Sequence, residues 1–120
     1  LGQYLPEYKY EWMYDEKGNV IETSNYELDI STDQWIPQNR NAYEYDENDN
    51  VILFLSYAWN ENIDAYVSSS KRGYTYNMDG RLSLVVDYFF IKSTMKWIQR
   101  SKIETTYKNN DKEISSMYYK

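Results

Sequence analysis

The sequence repeats itself every 31 residues, and this period limits the fold more than any other feature. Tyrosines stand at positions 14, 45, 76 and 107, and again at 26, 57, 88 and 119. Positions 4, 35, 66 and 97 hold Tyr or Trp, and positions 5, 36, 67 and 98 hold Leu, Ile or Val. Such a period is typical of proteins built from stacked supersecondary units. We predict a single domain over residues 1–120, made of hairpin units at about 3–33, 34–64, 65–95 and 96–120.

Each unit has the pattern of two β-strands. In the second unit, the run from Gln34 to Asp46 alternates around Trp35, Tyr43 and Tyr45, and Val51 to Trp59 is another run of β-prone residues. Polar turn residues separate the runs, and no stretch keeps a 3.6-residue period. The sequence therefore predicts an all-β fold, an antiparallel meander of about eight strands.

The turns fit hairpin geometry. The first connection of a unit matches a three-residue loop, Glu16-Lys17-Gly18 in the first unit, whose third residue is left-handed. The equivalent positions are 18, 49, 80 and 111, occupied by Gly, Asp, Gly and Asp, which tolerate positive φ. The second connection, between Leu28 and Asp33, has four residues. Strict alternation across both loops predicts an aromatic face and a mostly charged face, the latter including Lys9, Arg40, Lys71 and Asp87.

An aromatic face this large must curl, close, stack or bind something, because monomers rarely expose large apolar patches. Eight strands could close as an up-and-down barrel. The stagger that the turns imply gives a strand tilt of about 54° at roughly 3.3 Å per residue and 4.8 Å between strands. Common barrels tilt by about 35–45°. We predict an open, strongly twisted sheet, with the closed barrel as the alternative.

Composition excludes several classes of function. The chain has no Cys and no His, which removes thiolate nucleophiles, zinc–thiolate sites and imidazole chemistry. The net charge of −6 disfavours binding to phosphate backbones. No apolar run approaches the roughly 20 residues that span a bilayer. We expect no nucleic acid partner, no membrane insertion and no cofactor.

The acidic stretch 43–50, YEYDENDN, has oxygen atoms spaced as in a calcium loop. Val51, however, stands where such a loop needs glycine, and Tyr57 where it needs a bidentate Glu. Hairpin geometry already explains the Asp and Asn residues. No metal site is predicted.

Glycoside hydrolysis needs two carboxyl groups, about 5–5.5 or 6.5–9.5 Å apart. The strand interiors of the predicted aromatic face offer only Glu22, with Glu113 far away at the last edge. We predict no catalytic residues and no enzymatic activity.

The predicted aromatic face can be a core, in which rings pack across strands, or a recognition surface for a glycan or a protein. Arg72 is the one basic strand residue predicted on that face, where it could orient a polar ligand or pair with Glu22. The candidate ligand-binding residues, grouped near the four-residue connections, are Trp35, Tyr57, Trp59, Tyr66, Arg72, Tyr88 and Trp97. On the opposite face we predict self-association through an apolar column of Ile52, Phe54, Val85 and Phe89.

The motif W-x4-R/K-x-x-Y-x-Y-D-x-x-G-N reads here as Trp35, Arg40, Tyr43, Tyr45-Asp46 and Asn50, with Asp in place of the glycine at position 49. It resembles Tyr-rich repeats common in secreted and surface proteins of Bacteroidetes, and is distantly similar to the YD repeats of RHS-type secreted proteins. The resemblance implies a secreted, periplasmic or cell-surface location. We therefore predict a non-catalytic β-repeat binding domain, with a structural stalk or a lipocalin-like carrier as alternatives.

Overall fold

The computed structural model describes residues 5–108 and 111–119, with side chains described from Leu5 to Tyr107. It contains eight strands: β1 (Tyr8–Tyr14), β2 (Val20–Asp29), β3 (Gln34–Tyr45), β4 (Val51–Asn60), β5 (Ala65–Tyr76), β6 (Leu82–Ile91), β7 (Lys96–Lys108) and β8 (Asp111–Tyr119). Within those residues the chain forms no helix, and hence no helix suited to crossing a membrane.

The strands form one sheet in the order β1 to β8, each antiparallel to the next. In the described part of the chain, β1 and β8 stand at opposite edges and do not pair. The predicted open meander is confirmed, and the closed barrel is wrong.

The turns follow the predicted chemistry. The carboxylate Oδ1 of Asp15 accepts the backbone N–H groups of Lys17 and Asn19, each at 2.9 Å. Positive φ occurs at the expected third loop position of the first three units, at 88°, 65° and 78° for Gly18, Asp49 and Gly80. In the fourth unit Asp111 begins β8 instead. The four-residue connection between β2 and β3 is 30–33, one residue later than predicted. The last residue of each such connection, Asp33, Asp64 or Met95, is a second left-handed position that the sequence pattern did not predict.

Every pair of neighbouring strands contains a β-bulge. Strands β2, β4 and β6 carry the extra residue beside the tight turn, as at Ile21 and Ile52, whereas β8 carries it at Ser115, further into the strand. Strands β3, β5 and β7 carry it near the middle, at Gln38, Ser69 and Arg100. One extra residue shifts the alternation, so side chains beyond it emerge on the other face. The prediction of a single aromatic face is therefore wrong.

The sheet instead has two aromatic bands on opposite faces, at opposite ends of the strands. Face A carries the rings beside the four-residue connections: Tyr26, Trp35, Tyr57, Trp59, Tyr66, Tyr88, Phe90 and Trp97. Face B carries three groups of rings: those of β1, those near the tight turns, and two phenylalanines. They are Tyr8, Tyr10, Trp12, Tyr14, Tyr43, Tyr45, Phe54, Tyr74, Tyr76, Phe89 and Tyr107.

The fold is a single layer without an enclosed core. Among the described side chains no hydrophobic one is buried, and Ser101 is the one buried residue. The chain exposes 8970 Å², whereas a compact monomer of 14.6 kDa exposes about 6,900 Å². Its radius of gyration is 18.6 Å, compared with about 14 Å for a compact domain of this length. Cross-strand contacts on each face must therefore supply what a core normally supplies.

Candidate functional site

Six of the seven candidate residues lie together on face A, and we call them the aromatic cluster: Trp35, Tyr57, Trp59, Tyr66, Tyr88 and Trp97. The rings of Trp59 and Tyr66 meet edge to face, with centroids 5.1 Å apart. The cluster follows the four-residue connections along the sheet, as the sequence predicts.

The seventh candidate, Arg72, lies on face B, so its predicted position on the ring face is wrong. The bulge at Ser69 changes the alternation of β5 and sets Arg72 opposite Phe54 and Asp87. The guanidinium Nε and Nη2 of Arg72 donate to the Asp87 carboxylate at 2.5 and 3.2 Å. Burial tends to raise the pKa of Asp87, but the hydrogen bonds from Arg72 and Ser101 outweigh it and hold this pKa below its usual value. Glu22 pairs with Arg40 instead.

Basic side chains at 31-residue intervals lie over the rings of face A. Lys9 Nζ is 4.5 Å from the ring centroid of Tyr26 and 5.3 Å from that of Trp35. Lys71 Nζ is 4.7 Å from the centroid of Tyr88 and 4.5 Å from that of Trp97. Arg40 occupies the matching position of the second unit. We call these three residues, Lys9, Arg40 and Lys71, the cation ladder. These residues were predicted on the opposite face, and the bulges explain the error.

In the second unit, the Arg40 guanidinium carbon lies 5.6 Å from the ring centroids of both Tyr57 and Tyr66. Each cation–π contact stabilises by about 0.5–1 kcal/mol where the site is partly exposed. The ladder therefore uses the cluster rings to join neighbouring hairpins. Packing across strands accounts for the arrangement, and ligand binding by the cluster stays a prediction.

A second aromatic surface, at the β1 edge of face B, is more exposed. Tyr8, Tyr10, Trp12 and Tyr14 form a row, each between 53% and 59% exposed. The rings of Tyr10 and Trp12 have centroids 6.2 Å apart and planes inclined by 31°. These two rings form an exposed, tilted platform beside the sheet.

The platform borders an open groove of about 390 Å³, which we call the edge groove. Its lining residues on face B are Tyr10, Trp12, Thr23, Asn25, Asn39, Asn41 and Ser56. Asn25 Oδ1 accepts the backbone N–H of Asn39 at 3.0 Å, which leaves the side-chain amide N–H groups of Asn25 able to donate elsewhere. The side-chain amide Nδ2 of Asn41 donates to Thr23 Oγ1 at 3.3 Å. The groove thus combines apolar rings with amide and hydroxyl groups.

The sequence contains a signal for this groove, which is a difference between neighbouring units. The first unit has Tyr8 and Tyr10 where the second has Asn39 and Asn41. The same repeat positions hold aromatic rings on β1 and amide side chains on β3. The two kinds of side chain therefore lie close together, on either side of β2. The departure from the repeat, rather than the repeat, marks the groove.

Acidic side chains are sparse in the lining of the edge groove. The lining includes one carboxylate, Glu11, and this group accepts a hydrogen bond from the Tyr26 hydroxyl, which raises the pKa of Tyr26. Alternation places Glu11 on face A, away from the platform. Among the described side chains, no three acidic groups converge on a metal-binding position.

No protein-family model and no curated protein is similar to the chain at the level of sequence. Its fold is similar to a DUF3836 family protein from Bacteroides vulgatus ATCC 8482, at 16% identity over 77% of this chain and 89% of that one, with a TM-score of 0.65. A DUF3836 family protein from Parabacteroides distasonis ATCC 8503 is similar at 17% identity over 82% and 91%, with a TM-score of 0.58. These likenesses show the fold, and the similarity to YD repeats stays a prediction.

Proposed function

We propose that this protein is a non-catalytic glycan-binding module and that the edge groove is its binding site. The observation that carries the proposal is the exposed platform of Tyr10 and Trp12 beside the amides of Asn25, Asn39 and Asn41. Binding sites commonly join an apolar or aromatic surface with a few convergent polar groups.

The chemistry of the groove matches a sugar chain. The C–H face of a pyranose is apolar and can stack on an aromatic ring, while its hydroxyls need partners that both donate and accept. Asn supplies one carbonyl acceptor and two N–H donors, and Ser and Thr supply hydroxyls. Because no charged side chain faces the platform within the lining, a neutral glycan fits better than an acidic one.

The test is titration of the protein with soluble neutral polysaccharides, followed by calorimetry and by Trp fluorescence. Trp12→Ala should weaken binding at least about tenfold, the equivalent of ~1.4 kcal/mol. The matched control is Met13→Ala, because Met13 is the next residue of β1, is 54% exposed and lies on face A. Glycan binding that is unchanged in Trp12→Ala would show that the edge groove is not the binding site.

A third variant separates the two aromatic surfaces. Trp35 belongs to the aromatic cluster and is 37% exposed. If Trp35→Ala abolishes glycan binding and Trp12→Ala does not, the aromatic cluster is the site. If no glycan and no protein partner binds, the elongated single layer is better explained as a structural repeat.

We also propose that the protein is exported and works in the periplasm, outside the cell or on its surface. The support is the Tyr-rich repeat motif together with a binding surface suited to polysaccharide. Cell fractionation and protease treatment of intact cells test this location. A protein recovered only from the cytoplasm contradicts it.

A further inference from the structure

Face B carries a second apolar surface beside the edge groove, which reaches β4 at Ser56. It spans β4 to β7, and we call it the central patch: Phe54, Val67, Val85, Phe89, Ile98 and Ile103. Register pairs Phe89 with Ile98 and Val85 with Ile103, and the row of Arg72, Asp87 and Ser101 lies between these two pairs. Phe54 stands opposite Arg72, and Val67 opposite Ala58. None of them is buried, and Ile98 is 37% exposed. Three of the four residues predicted for self-association lie here, and the fourth, Ile52, is a bulge residue.

The central patch contains little unbalanced charge. Between β4 and β7, the described side chains that alternation places on face B include only three charged ones, Arg72, Asp87 and Lys96. Arg72 and Asp87 neutralise each other, and Ser101 Oγ donates to Asp87 at 3.1 Å. Lys96 is at the end of β7, and the bulge residue Arg100 adds a cation near Asp87. Interface cores are depleted in unpaired charge in the same way.

Face A does not suit stacking of two copies as well. The cation ladder runs across its middle. Arg40 is paired with Glu22, but Lys71 forms no ion pair among the described side chains, so stacking two such faces would bring the Lys71 ammonium groups of the two copies towards each other. Like charges brought together in an interface cost several kcal/mol. A second copy therefore fits face B better than face A.

The area is sufficient for a dimer. Four strands about 4.8 Å apart and about ten residues long, at ~3.3 Å per residue, give a footprint of roughly 600 Å² on each copy. Two such footprints reach the ~1,200 Å² at which stable interfaces begin. The chain also exposes 8970 Å², about 2,000 Å² more than a compact monomer of its mass.

We propose that the central patch binds the same patch of a second copy of this chain, so that two single-layer sheets form a sandwich. Stacked sheets pack about 10 Å apart and bury the side chains between them. The contact is isologous, because each copy contributes the same surface. The dimer supplies the buried core that one copy lacks, and it leaves the edge groove of each copy at its margin.

Two adjacent valines of β6 test the proposal by sedimentation equilibrium. Val85 lies on face B and Val86 on face A, and both are half-buried. Val85→Glu should weaken dimerisation at least about tenfold, because it places an unpaired carboxylate in the interface. Val86→Glu should leave dimerisation unchanged. A monomeric wild-type chain at several hundred micromolar, or equal loss in both variants, overturns the proposal.

A milder pair guards against variants that fail to fold. The chain has no cysteine, so a single one can be introduced as a reporter. Ser70 lies on face B and Ser68 on face A of β5. Ser70→Cys should become protected from a maleimide as protein concentration rises, and Ser68→Cys should not.

Reactivity at Ser70→Cys that does not depend on protein concentration overturns the second copy as the occupant. Protection that appears only after a glycan or a different protein is added assigns face B to that partner instead, and equally overturns the proposal.

Discussion

Three tyrosine hydroxyls tie each hairpin to the preceding one. Tyr45, Tyr76 and Tyr107 donate to the carbonyl oxygens of Val20, Val51 and Leu82, at 2.6, 2.8 and 2.7 Å. Burial raises the pKa of Tyr45 and of Tyr76. The 31-residue tyrosine series thus has a specific structural role, because each hydroxyl satisfies a carbonyl beside a bulge, where the regular ladder is interrupted.

Tyr45→Phe should lower the free energy of unfolding by about 1 kcal/mol, because the Val20 carbonyl loses its partner. Tyr43→Phe is the matched control, since Tyr43 lies two residues away on the same face and its hydroxyl makes no hydrogen bond within the described part of the chain. Urea denaturation of both variants measures the difference. Equal losses in the two variants would show that the hydroxyl bond contributes nothing specific.

The tight turns make stability depend on pH. Backbone N–H bonds from Asn19 and Asn50 hold the pKa values of Asp15 and Asp46 below their usual range. A lowered folded-state pKa gives stability that is present above the unfolded pKa of about 3.9 and is lost as pH falls through the folded value. The third turn has Asn77 in this position, and its Oδ1 accepts the same two backbone bonds without a titrating group.

The double variant Asp15→Asn, Asp46→Asn should therefore lose less stability than the wild type between pH 5 and pH 2, values that bracket the usual Asp pKa of about 3.9. Urea midpoints at the two pH values give the comparison. Asp29 and Asp87, whose pKa values are also lowered, remain in both proteins. An identical acid loss in the two proteins would contradict a role for the turn carboxylates.

At the scale of the strands, the bulges explain which parts of the architecture could be predicted. Strand and turn positions follow from alternation and loop chemistry, and both recur every 31 residues. A bulge recurs with the same period, so aligning the units does not reveal it. Counting from Trp35 to Tyr43 gives an even separation and suggests one face, yet the extra residue Gln38 puts them on opposite faces.

The predicted set of ligand-binding residues was partly wrong for the same reason, because the bulges were not foreseen. The aromatic cluster survives because its members lie on the same side of the bulges, whereas Arg72 lies beyond Ser69 and changes face. The edge groove was missed because it depends on the side chains of neighbouring units being different, and a search for repeats emphasises what is alike.

Deleting Ser69 should be among the most damaging changes to β5. Without the bulge, the residues on one side of it must exchange faces, which separates either Tyr66 from Trp59 or Arg72 from Asp87. We expect a loss of more than about 2 kcal/mol, well above the ±0.5 kcal/mol of ordinary surface changes. Ser69→Gly keeps the extra residue and serves as the control in thermal denaturation by circular dichroism. A deletion variant as stable as this control would contradict the bulge's role.

At the scale of the molecule, the sheet is a one-dimensional array. Strands pair only with their sequence neighbours in the described residues, and each unit ends where the next begins. In such arrays stability is approximately a sum of unit terms and nearest-neighbour terms. The absence of a closing pair between the first and last strands leaves the number of units free to vary.

Inserting a second copy of residues 34–64 after Asp64 should give a folded ten-stranded sheet with a higher melting temperature. Because two strands are added at about 4.8 Å each, the sheet should widen by roughly 10 Å. Small-angle scattering and thermal denaturation measure the two effects. An insertion that aggregates, or that leaves the melting temperature unchanged, would show that the units are not interchangeable.

The positions of β1 and β8 at opposite edges also determine how the molecule responds to mechanical force. Hydrogen bonds of an antiparallel pair lie perpendicular to the strands. A pull on the two ends of the chain loads these bonds one after another at an edge, so the sheet peels open strand by strand. Each detached strand releases a length of chain set by its residue count, at most about 3.6 Å per residue. Under tension we therefore expect this sheet to lengthen in small steps, one strand at a time, rather than to unfold in a single event.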